Sequence, residues 1–272
     1  MSIQPSQPQS IGGVLDTTFQ LYKASVVKMI PLMLLTIVAV SPVYIYYAYL
    51  YTQIQGTANP TMALAAMGPT PGYWLAMGIT WLASQLMVAA SAVKMNAIGA
   101  GSDASVAQSL QAALPRLLPL LIASLLYPII VVLSFFLLVV PCIILSISLL
   151  LFVATCVFDG KGPIGCLTAS HRLVWGNWWR TAAILTVGFI LLIVLYLVVT
   201  LVVGVLMPIA ALGAGPENAL VFGVAVVVVV SLLVYVIVTP FYYALMLTIY
   251  WDLKLRKDGG DLAARVGALN PA

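Results

Sequence analysis

Long apolar runs separated by short polar stretches set the architecture of this chain. From Leu117 to Phe158 there is no charged residue. As helix, at about 1.5 Å per residue, that run is far longer than the roughly 30 Å hydrocarbon layer of a bilayer. It therefore predicts two crossings, with Pro141 breaking the helix into a hairpin. The whole pattern predicts six spans, at 26–50, 73–98, 116–139, 142–158, 181–211 and 218–250. The last two exceed the bilayer requirement and must tilt or project, with Pro208 and Pro240 as kink points. Short alternating segments of the kind a β-barrel needs are not the pattern here. The expected fold is all-α: a polytopic membrane protein with one integral domain over 1–272 and a short cytoplasmic tail from 251.

Three polar stretches carry a second periodicity. "IGGVLDTTFQLYKAS" sets Ile11, Val14, Leu15, Phe19 and Tyr22 on one helical face. "DASVAQSLQAALP" does so with Val106, Leu110, Ala113 and Leu114, and "PIGCLTASHRLVWGN" with Ile164, Leu167, His171, Val174 and Trp175. The i, i+3, i+4, i+7 spacing predicts about three amphipathic helices lying in the membrane interface, each leading into a span. Leu15, Phe19, Leu21, Ser25 and Lys28 match Leu167, His171, Leu173, Asn177 and Arg180 without a gap; the second stretch fits only with one. The register admits three parallel helix-hairpin repeats, at 9–98, 103–158 and 163–250. Shared amphipathicity alone would produce the same match.

Composition sharpens this. The 272 residues are 63% hydrophobic and 7% charged, where a soluble domain carries about 25% charged residues. In the six-span arrangement all eleven basic residues fall on one side, which the positive-inside tendency assigns to the cytoplasm together with both termini. The net charge of +4 then faces the inner leaflet, and attraction to anionic lipid explains it without nucleic acid. The polar start "MSIQPSQPQS" lacks the charged and apolar regions of a cleavable signal, so the first span is expected to direct insertion. Cys142 and Cys156 are too far apart on one helix to bridge, and Cys166 falls in a charged segment, so the three cysteines are expected to be packing residues. No Cys/His spacing suggests a metal, and no cofactor is expected.

The rare residues pool in "HRLVWGNWWR", 171–180. His171 falls on the apolar face, as an interfacial ring or a pH-sensing group. Trp175, Trp178 and Trp179 fit interfacial anchors. Gly176 and Asn177 read as a helix stop and restart, a hinge. Arg172 and Arg180 can hold lipid phosphates, as can Lys28, Arg116, Lys254, Arg256 and Lys257 around the same rim. Tyr44, Tyr47 and Tyr51 share one face and suit the outer aromatic belt or an amphiphile groove. With no carboxylate or cation well inside a span, ion coupling through a buried charge is disfavoured.

Two stretches carry a family resemblance. In residues 139–180, Pro141, Ile143, Asp159, Gly160, Ser170, Arg172, Leu173, Gly176, Trp179 and Arg180 fit a pattern of bacterial six-helix membrane proteins. In "LTIYWDLKLRKDGGDL", Tyr250, Asp252, Leu253, Arg256, Lys257, Gly259, Asp261 and Leu262 fit its closing motif. The chain thereby resembles the membrane domain associated with glycerophosphoryl diester phosphodiesterases and related uncharacterised six-helix families. Cys142, His171 and Asp159 depart from the usual glycine, aromatic and glutamate. The resemblance implies an α-helical inner-membrane fold and little about activity; no room is left here for a fused phosphodiesterase.

The functional expectation is a non-enzymatic inner-membrane protein that binds, organises or moves lipids or other amphiphiles in envelope homeostasis. Membrane lipids, anionic ones foremost, are its expected partners. A small-molecule transporter or channel is the first alternative, with Gln85, Ser91, Asn96, Ser124, Ser134, Ser146, Ser148, Thr155, Thr200 and Ser231 as a polar path. A membrane scaffold for a soluble partner is the second.

Overall fold

The computed structural model describes residues 2–54, 70–211, 219–257 and 259. Among them every regular element is helical: α1 (Ile11–Ala39), α2 (Ser41–Ile54), α3 (Pro71–Gly99), α4 (Val106–Ala113) with a 3-10 turn (Leu114–Arg116), α5 (Leu117–Leu137), α6 (Val139–Leu149), α7 (Phe152–Phe158), α8 (Pro163–Val174), α9 (Trp178–Ala211) and α10 (Ala219–Lys257). Six stretches are long and apolar enough to cross a membrane, namely Ile11–Ala39, Pro71–Gly99, Val106–Leu137, Val139–Phe158, Trp178–Val202 and Val229–Lys257. This is a multi-pass helical membrane protein.

The breaks between helices follow local chemistry. Pro42 has no N–H to bond the Val38 carbonyl, and Ser41 Oγ takes that carbonyl at 2.8 Å, so the chain turns between α1 and α2. The first span is therefore divided near residue 40 instead of running from 26 to 50. The hairpin turns at Leu138, whose extended backbone (φ −172°, ψ 154°) separates α5 from α6. Pro141 lies in the first turn of α6, where its missing N–H costs nothing. The expected turn at Pro141 is thus three residues late. A further break at Leu150 and Leu151 divides the fourth span. Carbonyls just before it find side-chain donors: Tyr127 Oη to Ser146 O at 3.3 Å, and Ser170 Oγ to Ser148 O at 2.8 Å.

The three amphipathic segments differ from their expected form. The first has no boundary of its own, because α1 runs unbroken through Ser25. The second is the short α4, held by a Ser105–Gln108 capping box. Only the third, α8, is a helix set off by a distinct joint. The expected apolar faces are buried only in part. On α1 the buried residues are Val14, Thr17, Thr18, Leu21 and Ser25, with Thr18 Oγ1 meeting Thr248 Oγ1 at 2.7 Å, whereas Ile11 and Phe19 face outward. On α8 Leu167 and Val174 of the expected face are buried together with Cys166, Ala169, Ser170 and Leu173, while Ile164 is 68% and Trp175 56% exposed. Lipid solvates large apolar side chains as well as a protein interior does, so small and hydroxyl residues take the helix contacts.

The core lies where α10 packs against α1 and α9, with α3 closing it from the side of α1. Gly99 on α3 receives the Trp251 ring so closely that any Cβ would overlap it. The segment before α1 is part of the bundle: Ile3 and Gln4 N–H donate to the Gly99 carbonyl at 2.8 and 3.0 Å, capping the end of α3. The tail expected from residue 251 begins later, since α10 continues to Lys257 and Trp251, Asp252 and Leu253 are buried.

The cysteines are a correction. Cys156 on α7 and Cys166 on α8 are joined by a disulfide, with Cα atoms 5.0 Å apart, and Cys142 is free. The two helices fold back on each other through the turn 159–162, a proximity that spacing along a single helix does not reveal. The motif positions Asp261 and Leu262 and the last basic residue, Arg265, lie outside the described residues.

Candidate functional site

The two stretches that carry the resemblance interlock at one end of the bundle. Asp252, 1% exposed, accepts from Arg180 at 3.1 Å, from Arg256 at 3.0 Å and from the Gln9 N–H at 2.8 Å. The Gln9 carbonyl in turn accepts from both arginines, Arg256 at 2.6 Å. Asp159 accepts from Tyr250 Oη and Lys254 Nζ, each at 2.8 Å. A third carboxylate, Asp103 in the α3–α4 loop, pairs with Lys28 at 3.4 Å and Lys94 at 3.3 Å. Partial burial pushes the Asp103 carboxyl up, but the hydrogen bonds and charges of Lys94 and Lys28 outweigh it and leave its pKa below the ordinary carboxylate value.

These pairs change the standing of the expected phosphate-binding cations. Lys28, Arg180, Lys254 and Arg256 already hold carboxylates. Lys257 Nζ donates to the Trp175 carbonyl at 2.9 Å across the α8–α9 joint. Arg116 lies over the turn after α7: its guanidinium would be 2.9 Å from a Cβ at Gly160, whose φ of +66° also favours glycine. Arg172 is exposed and makes no hydrogen bond or ion pair with any described residue. Gln9, which completes the Asp252 cluster through its backbone, had no signal in the sequence; Asp252 did, through its motif.

The joint itself is built from Trp175, Gly176 and Asn177. Gly176 has φ +93°, the left-handed region, so α8 can stop and α9 start within three residues. The Asn177 N–H donates to Val174 O, and the Asn177 carbonyl accepts from the Thr181 N–H, both at 2.9 Å. Trp178 Nε1 donates to the Ile144 carbonyl at 3.2 Å, fixing the joint to α6. Trp179 packs edge-on against Trp178 and is 81% exposed, and His171 lies over Trp175 with ring centres 5.1 Å apart.

Two apolar grooves flank this ring pair. The first, about 670 Å³, lies between Val140, Ile143 and Ile144 on α6 and Trp175, Trp178 and Trp179 at the joint. The second, about 550 Å³, lies between Leu126 and Ile130 on α5, Leu145 and Leu149 on α6, and α8, which contributes His171 and Arg172. The Nδ1 atom of His171 is buried and has no partner among the described residues. A smaller space of about 240 Å³ sits beside the break at Leu150 and Leu151, with Gln85, Ser124, Tyr242 and Tyr243 among its walls. Of the expected polar path, only Gln85 and Ser124 face it. Asn96 is occupied by Trp251 Nε1 at 3.1 Å, and Thr155 by the Cys166 carbonyl at 2.8 Å. Among the described residues no cluster of His, Cys, Asp and Glu could hold a metal ion.

Comparison with known proteins adds one similarity. A family model described as a domain of unknown function, DUF7847, matches residues 123–253, a little under half of the chain. No curated protein and no solved structure matches the chain. The matched region runs from α5 to Leu253, so it contains both grooves, the tryptophan joint and Asp159, Arg180 and Asp252, while Gln9, Lys28, Lys94, Asp103, Lys254 and Arg256 lie outside it.

Proposed function

We propose that this protein is a non-enzymatic amphiphile-binding protein of the bacterial inner membrane, with its basic end and both termini on the cytoplasmic side. The α8–α9 joint is its binding site, and its role lies in organising envelope lipids. The observation that carries the reading is the 670 Å³ groove walled by three tryptophans and α6, next to a basic rim. Burying an acyl chain there removes apolar surface from the headgroup region at about 25 cal/mol per Å². Tryptophan rings suit that depth because one edge is apolar and the indole N–H is polar. The ionic cluster at the same end supplies rigidity: Arg180 on Asp252 and Lys257 on the Trp175 carbonyl fix the α8–α9 joint to α10. The test is native mass spectrometry of the protein released from lipid nanodiscs. Retained phospholipid that is reduced in Ile143→Trp, a substitution filling the groove, supports the reading. Equal retention by both proteins sinks it.

A transporter for small neutral solutes is the second reading, favoured by the space beside the helix break. A broken helix in a span exposes backbone polar groups where a solute can use them. Solute-driven swelling of proteoliposomes that disappears in Gln85→Leu would support it.

A further inference from the structure

We infer that the two grooves hold the two acyl chains of one glycerophospholipid, whose phosphate rests on Arg172. This deepens the amphiphile reading and depends on it.

The grooves are not independent. His171 lines one, Trp175 lines the other, and the two rings are in tilted contact with centres 5.1 Å apart. One ring pair, His171 and Trp175, thus stands between the grooves, and two chains joined at one glycerol would pass on either side of it. The first groove is walled by aliphatic and aromatic side chains, and so is the second except at its α8 edge, where Thr168, His171 and Arg172 stand, so each suits a chain and that edge suits a headgroup. With α6 as their common floor, through Val140, Ile143 and Ile144 on one side and Leu145 and Leu149 on the other, two chains would straddle the end of α8.

The phosphate position follows from which cation lines a groove. Lys28, Lys94, Arg180, Lys254 and Arg256 are paired with carboxylates, and Lys257 is held by the Trp175 carbonyl; Lys23, Arg116 and Lys161 have no carboxylate partner among the described residues but line neither groove. Arg172 lines the second groove, adjoins His171 in sequence, is exposed, and pairs with no described residue. A guanidinium matches phosphate oxygens with two parallel hydrogen bonds, which a lysine cannot do. The ligand class is thus a two-chain phospholipid, not a single-chain detergent-like amphiphile.

The experiment titrates the full-length protein, in detergent, with dioleoyl phosphatidylglycerol and with its one-chain lyso form, counting bound lipids by native mass spectrometry. Four outcomes are expected. One two-chain lipid binds, at least about tenfold tighter than the lyso lipid, because a second chain adds many buried methylenes. Arg172→Gln weakens both lipids about tenfold through loss of a charge-assisted hydrogen bond. Ile143→Trp and Ile164→Trp, each filling one groove at an exposed position, reduce the two-chain lipid to the affinity of the lyso lipid. Either plug alone leaves the lyso lipid within about twofold of its original affinity, because the other groove stays open. Two two-chain lipids bound at once, or equal affinity for the one-chain and two-chain forms, would overturn the inference while leaving the amphiphile reading intact. An unchanged Arg172→Gln overturns the phosphate assignment. Absence of any bound lipid on the unmodified protein overturns both. Thermal unfolding of each variant at the unmodified temperature confirms that the plugs do not act by unfolding.

Discussion

Asp252 is the residue on which the basic end depends. Its carboxylate is 1% exposed and receives two guanidinium groups and a backbone N–H from three parts of the chain. Asp252→Asn keeps the shape and removes the charge, leaving Arg180 and Arg256 to repel each other. The expected loss is about 3 kcal/mol, the low end for breaking a buried pair because both arginines keep some solvent. Thermal unfolding followed by tryptophan fluorescence would read it directly. Arg256→Gln should cost clearly less, since Arg180 still neutralises the same carboxylate. Asp103 makes a different prediction. Its folded pKa lies below the ordinary value, so its contribution to stability is complete above the unfolded carboxylate pKa and is lost as pH falls through the folded one. Acidification should therefore loosen the α3–α4 loop, detected as faster amide exchange there, and Asp103→Asn should remove that pH dependence.

At the level of elements, close approach counts for more than amphipathic stripes. Gly99 exists because Trp251 fills the space a Cβ would take, with its indole N–H on Asn96 Oδ1 at 3.1 Å. Gly99→Ala must displace that ring, at about 1–3 kcal/mol for overpacking. Adding Trp251→Phe, whose shorter ring leaves the space free, should recover part of the loss in thermal unfolding; no recovery would mean that the glycine matters for some other reason. Such a contact joins residues far apart in sequence, and none of it was legible from the chain. What could be read was whatever the bilayer itself imposes: the apolar runs of spanning length, the basic residues gathered between them, the Gly176 stop between α8 and α9. The apolar stripes mark only part of the buried faces: Val14, Leu167 and Val174 are buried, but Ile11, Phe19, Ile164 and Trp175 are exposed and Thr18, Ser25 and Ser170 hold helix contacts, because lipid solvates large apolar side chains as well as the bundle does. The turn at Leu138 escaped because Pro141 is compatible with a helix's first turn as well as with its end. For the site, the sequence located the 171–180 cluster but not its occupancy: only folding shows that Arg180 already has a carboxylate and that Arg172 does not.

For the whole molecule, orientation and redox chemistry make opposing demands. The proposed orientation puts the basic end in the cytoplasm, and the Cys156–Cys166 disulfide lies at that end, between the α7 terminus and α8, a few residues from Asp159. The cytoplasm keeps thiols reduced. Both can hold only if the pair is a dithiol in the cell and closes on exposure to air, a change of two sulfurs already brought together by the α7–α8 turn. Cells quenched in acid, denatured and treated with a maleimide polymer should then add three labels per chain, at Cys142, Cys156 and Cys166. Protein purified without reductant should add one, at Cys142. The oxidised form should also unfold at a higher temperature, by the equivalent of about 2–3 kcal/mol for a bridge with a sequence separation of 10. A single label on acid-quenched cells would mean that this end meets an oxidising compartment. The basic rim would then face away from the cytoplasm, and the phospholipid held at the α8–α9 joint would come from the opposite leaflet.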